Sequence, residues 1–128
     1  MTRRIALLMQ PSRNDHLNKA KRNRDFADKL PKNDPTFTGW ALIALFYSAL
    51  HYVNGYLARY NVRYGSHKAL EVELAKNDVL SGMYNDYMDL FDYGHNARYT
   101  MRNYSIEDFR KARESFDRIE KHILTLCR

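Results

Sequence analysis

Cysteine is almost missing from this chain, where Cys127 stands alone. A single thiol excludes an internal disulfide and suits a reducing compartment, which points to the cytoplasm. Five glycines and three prolines are too few for the turns of a many-stranded fold, and no segment reads as a sheet. Long apolar runs are also missing. Trp40–Tyr47 and Ile5–Met9 are the longest, far short of the roughly 20 residues needed to cross a bilayer, so no membrane is expected. Arg3 and Arg4 before Ile5–Met9 imitate a secretory start, but the apolar segment is short and no small-residue cleavage site follows.

The patterns of metal and cofactor chemistry are absent too. His16, His51, His67, His95 and His122 include no pair three or four residues apart, and no Glu-x-x-His exists. That spacing argues against a metal site. There is no Gly-x-Ser-x-Gly elbow, phosphate-cradling loop or dinucleotide fingerprint, and Cys127 sits near a terminus. No cofactor is expected.

What is present is one domain's worth of helix. The 128 residues are 45% hydrophobic and carry a net charge of +6, enough for a single packed core. The charge is uneven. Residues 1–32 hold nine basic and three acidic side chains, whereas residues 33–128 hold twelve of each. The body is neutral and the excess belongs to the N-terminal arm and first helix, where Lys19, Lys21, Arg22 and Arg24 cluster. Such a run is either a solvated helix face or a phosphate-binding one.

Helical periodicity predicts an all-α, antiparallel up-and-down bundle of four to five helices. Residues 1–13 read as an arm, left open between disorder and packing across a dimer, and residues 14–128 as one helical domain. The final helix is clearest: Ile106, Phe109, Ala112, Phe116, Ile119, Ile123 and Leu126 form one apolar stripe. Ser105 and Asp108 supply a capping box at its start, and Lys121 and Arg128 suit the dipole towards its end. A central helix runs from about Thr38 to Tyr60 on Trp40, Ile43, Tyr47, Leu50, Asn54 and Leu57, widened by Phe46, Val53 and other apolar residues so that it reads as buried on more than one side, with Gly55 suited to a close contact and Gly65 ending the segment. The other elements are Asn14–Leu30, His67–Lys76 behind a Ser66 cap, Val79–Phe91 and, after a break at Gly94, Asn96–Tyr104.

Aromatic and basic residues interleave along the central helix. Tyr52, Tyr56 and Tyr60 recur every four residues, flanked by Arg59 and Arg63. If exposed, the stripe suits stacked bases and phosphates. If covered, it is a helix contact or a dimer face.

Phe46-Tyr47-Ser48-Ala49-Leu50-His51, then Ser66-His67-Lys68, then Ala97-Arg98-Tyr99 before the capped last helix resemble the HEPN (higher eukaryotes and prokaryotes nucleotide-binding) family in order and spacing over about residues 38–126. The resemblance implies a helical bundle, a homodimer, and association with RNA or nucleotides in a toxin–antitoxin or defence module. Some members are ribonucleases, while others are partners of a nucleotidyltransferase. It implies His67, Arg98 and Arg102 as catalytic positions, with Tyr47, His51, Arg63 and Tyr104 as binding neighbours; Arg59 on the tyrosine flank and Lys19, Lys21, Arg22 and Arg24 on the first helix are binding candidates by charge and spacing alone. The family's Arg-x4-6-His motif is not intact: three residues separate Arg63 from His67, and Glu107 stands where Arg102 would require a histidine. A weak metal-independent ribonuclease and a non-catalytic interaction module both remain open. So do simpler roles: a hydrogen-bonded core histidine for His51, and an ion pair with Asp86, Asp89 or Asp92 for Arg98.

Overall fold

A computed structural model describes residues 10–127. The N-terminal arm's first nine residues and Arg128 lie outside the described residues. Five α-helices and no strand occur among the described residues: α1 (Arg13–Lys29), α2 (Pro35–Ala58), α3 (His67–Lys76), α4 (Tyr84–Tyr99) and α5 (Ile106–Leu126).

Local chemistry sets most boundaries. Ser12 and Asp15 form a capping box that starts α1 at Arg13, inside the expected arm. Asp34 caps α2, with Pro35 in the first helical position. Ser66 caps α3, and Ser105 with Asp108 builds the expected box on α5. Lys32 closes the far end of α1, donating to the carbonyls of Ala27, Asp28 and Leu30 while its ammonium lies 4.5 Å from the Phe109 ring centre.

Three expectations about helix ends need correction. The central helix stops at Ala58, and the chain reverses through Asn61 at φ 58° rather than at Gly65; asparagine tolerates that left-handed conformation. Val79–Met83 forms a turn and a short 3-10 segment (Ser81–Met83), so α4 begins only at Tyr84. Gly94 does not break α4. A Cβ there would lie 3.0 Å from the Phe46 Cβ, so glycine brings α2 and α4 together. Residues 100–105 are not helical.

Helix α2 is the hub and packs against α1, α4 and α5. Its neighbours α1 and α4 run antiparallel to it: His16 meets His51 and Ala20 meets Ser48, while Phe46 meets Gly94 and Gly39 faces Ala97. By length and hydropathy α2 is apolar enough to cross a membrane, but 67% of that window is buried inside the bundle. It is the core helix of this fold. The helix is buried on more than one side, as expected, but its deepest face is offset from the expected stripe, of which only Leu57 is buried. Ala41, Leu42, Leu45, Ala49, Tyr52 and Val53 are fully buried, whereas Trp40 is 57% exposed and Ile43, Tyr47, Leu50 and Asn54 are half-buried. The α5 stripe is the expected one, with Phe109, Ala112, Phe116, Ile119 and Ile123 buried.

Polar groups also lock the bundle. Glu120 on α5 accepts from Arg24 Nη1 of α1 and Tyr52 Oη of α2, both at 2.7 Å. Arg113 grips Asp28 at 3.0 Å, and Arg118 grips Asp86 at 2.9 Å. Ser48 Oγ donates to the Ala20 carbonyl at 2.6 Å in the buried α1–α2 seam. Gly55 permits the same approach further along, since a Cβ there would meet His16 and Leu17 at 3.2 Å.

Candidate functional site

The richest chemistry gathers where α4 ends. Arg98 sits in its last turn, donating to Tyr47 Oη at 2.5 Å and lying 4.8 Å from the Tyr99 ring centre. None of Asp86, Asp89 and Asp92 reaches it. Asp86 is taken by Arg118 instead, so Arg98 has a phenol and aromatic faces but no carboxylate partner among the described residues.

One flank of Arg98 opens into a cavity of about 330 Å³, lined by Phe46, His67, Phe91, Gly94, His95 and Tyr99 as well as Arg98 itself. His67 is exposed as the first residue of α3, its ring 5.9 Å from Phe46 and 6.2 Å from Phe91. His95, one helical turn before Arg98, stacks on Phe91 at 5.6 Å and lies 4.9 Å from Tyr99. His95 was absent from the sequence-derived site. The signal for it was the spacing Phe91, His95, Tyr99 along one helix face.

The expected convergence is therefore partial. His67 and Arg98 share the cavity, but Arg102 lies outside it. The Arg102 guanidinium lies over the Tyr104 ring at 5.5 Å, and Tyr104 is buried against Tyr93, so it packs in the core rather than binding a ligand. Glu107, at the position where a histidine was wanted, pairs with Arg110 at 3.2 Å.

Several other candidates are structural. His51 lies at the α1–α2 seam, where its Nδ1 is 3.1 Å from His16 Nδ1. One ring donates and the other accepts, so at least one must be neutral. Burial, the neighbouring His16 and the charge of Lys19 push His51 down to about 4. Burial and then the charge of Arg63 hold His16 below its ordinary range. Arg59 donates to the Leu126 carbonyl at 2.8 Å, and Arg63 to the Pro11 carbonyl at 2.9 Å, so both tie chain ends to the bundle. Tyr52 is fully buried and Tyr56 nearly so, while Tyr60 lies exposed beyond the helix. No exposed stacking stripe exists there.

The basic first helix divides similarly. Burial opposes the charge on Arg24, but Glu120 and Asp25 outweigh it and raise its pKa, leaving Arg24 committed to the core ion pair. Lys19, Lys21 and Arg22 are exposed. Among the described residues, no group of three or more His, Cys, Asp or Glu is placed to hold a metal ion.

No family model, curated protein or solved structure matches this chain.

Proposed function

We propose that this protein is an RNA- or nucleotide-associated, HEPN-like component of a toxin–antitoxin or defence module, acting as a weak metal-independent ribonuclease. One observation carries the reading: two histidines and an arginine without a carboxylate partner, His67, His95 and Arg98, border a single open cavity. Transesterification of RNA needs a proton acceptor, a proton donor and a cation beside the phosphate, and these three side chains can supply them. One imidazole takes the proton from the 2′-hydroxyl as its oxygen attacks the adjacent phosphorus, and the other protonates the departing 5′-oxygen. The guanidinium stabilises the negative charge that builds on the phosphoryl oxygens. The products are a 2′,3′-cyclic phosphate and a free 5′-hydroxyl. Tyr99, 64% exposed, offers an aromatic face to a base, above a floor made by Phe46 and Phe91. A cytoplasmic homodimer is part of this reading, as in the family that the chain resembles.

The test is incubation with single-stranded RNA in the presence of a chelator, followed by analysis of the product ends. Cleavage to cyclic phosphates, lost in His67→Ala, His95→Ala and Arg98→Ala at unchanged helicity, is the expected result. Intact RNA at high protein concentration overturns the ribonuclease reading. The alternative, a non-catalytic module partnering a nucleotidyltransferase, is favoured by the turning away of Arg102 and the pairing of Glu107 with Arg110. It predicts a stable complex on co-expression with a nucleotidyltransferase encoded beside it.

A further inference from the structure

The other flank of Arg98 opens into a second groove, of about 700 Å³, between the start of α2 and the segment joining α4 to α5. Its aromatic and apolar rim is unusually solvent-facing: Trp40 is 57% exposed, Tyr99 64% and Met101 97%. Among the described residues, Arg98 and Arg102 are the only charged ones that line it. Neither has a carboxylate partner among the described residues. A groove that combines stacking faces with uncompensated guanidinium groups suits alternating bases and phosphates. The neighbouring groove between α4 and α5 is different, because Asp89, Asp92, Asp108 and Glu114 line it beside Arg102, Lys111 and Arg118, so that Arg102 stands on the wall between the two grooves. Its mixed lining carries a small acidic excess, whereas the Trp40 groove is lined by basic side chains with no carboxylate and so favours a polyanion.

We propose that the Trp40 groove is a flanking subsite for single-stranded nucleic acid, with Trp40 and Tyr99 stacking bases and Arg98 and Arg102 holding the intervening phosphates. The inference rests on the RNA-associated reading above and deepens it. Arg98 borders both cavities, so a strand bound in the histidine cavity continues past it into the groove. Single strands fit better than duplex, because stacking on a side chain needs bases that are not already paired.

Trp40 is the only tryptophan in the chain, so its fluorescence reports on this groove alone. The probe is a short 2′-O-methyl oligouridylate, which lacks the free 2′-hydroxyl and is not cleaved. Saturable quenching on titration is expected. Arg102→Gln should weaken binding roughly tenfold and lower the salt slope by about 0.7. Tyr99→Leu should weaken it by a similar factor through lost stacking, roughly tenfold. Both residues are exposed, and circular dichroism checks that each variant folds.

Three results overturn the subsite. One is binding seen by oligonucleotide anisotropy with no change at Trp40. Another is equal quenching by heparin, a polyanion without bases. The third is quenching that grows with protein concentration alone, which assigns the groove to a second copy of the chain. Quenching without any RNA cleavage by the wild type removes the ribonuclease reading and leaves the subsite standing. Cleavage with a silent Trp40 does the reverse.

Discussion

The two ends of the hub helix treat polar chemistry in opposite ways. Where α2 meets α1 and α5, nearly every polar group finds a partner inside the bundle: His51 with His16, Ser48 with the Ala20 carbonyl, Tyr52 and Arg24 with Glu120. Where α2 meets the end of α4, Arg98 has no carboxylate partner among the described residues, and two exposed histidines and Trp40 lie around it. The first arrangement spends its hydrogen bonds on holding helices together. The second leaves its donors available to something outside the fold. Net charge pointed elsewhere, to the N-terminal quarter, where part of the basic character is committed to the core through Arg24 and to a helix end through Lys32. Partnership rather than charge count separates the two ends.

The largest effect on the packed end should come from Glu120→Ala. It leaves the Arg24 charge half-buried and the Tyr52 hydroxyl without its acceptor, and should cost about 2–3 kcal/mol of stability in denaturant unfolding. A loss below about 0.5 kcal/mol, the size of a surface substitution, would break the distinction between the ends.

The histidine pair predicts a smaller, pH-dependent effect. His51 falls from an ordinary 6.5 to about 4 in the fold, and His16 is also lowered, so the unfolded chain binds protons more readily. The stability they contribute is complete above about pH 6.5 and is lost as pH falls towards about 4. Both rings keep some solvent access, so the loss should be about 1–2 kcal/mol, less than the full shift implies. Thermal melts across that range should show it in the wild type and show it reduced in His51→Gln. Equal pH dependence in both proteins would contradict the pairing.

Tyr87 sharpens the comparison from inside the core. It is fully buried and its hydroxyl finds no partner among the described residues. Tyr87→Phe should leave stability unchanged or raise it by up to about 1 kcal/mol, while Tyr52→Phe lowers it by a similar amount. The smallest effect is expected on α1: neutralising Lys19, Lys21 and Arg22 together should change stability by no more than about 0.5 kcal/mol in thermal unfolding, since all three are exposed.

Those parts of the fold governed by neighbouring residues were legible in the sequence. Ser66 and Ser105 fixed the starts of α3 and α5, and the α5 stripe fixed its buried face. The core face of α2 was not legible, because Phe46, Val53 and their neighbours make the helix apolar on most sides and no period stands out. Gly94 looked like a breaker because its contact with Phe46 lies on another helix. The site followed the same rule. His67 and Arg98 were singled out by the resemblance, and the structure puts both on one cavity. The partners of Arg24, Arg59 and Arg63 were not legible because Glu120, the Leu126 carbonyl and the Pro11 carbonyl lie 96, 67 and 52 residues away. His95 was overlooked although its helix spacing to Phe91 and Tyr99 was on view.

The central claim is that function resides at the α4 end and not on the more basic first helix. The most direct test compares metal-free cleavage of single-stranded RNA by the wild type, by Arg98→Ala, and by the combined Lys19→Gln, Lys21→Gln, Arg22→Gln variant. The account predicts a loss of about a hundredfold or more for Arg98→Ala, and a change of only a few-fold, relieved at low salt, for the α1 variant. Full activity in Arg98→Ala, with activity abolished in the α1 variant, would contradict it.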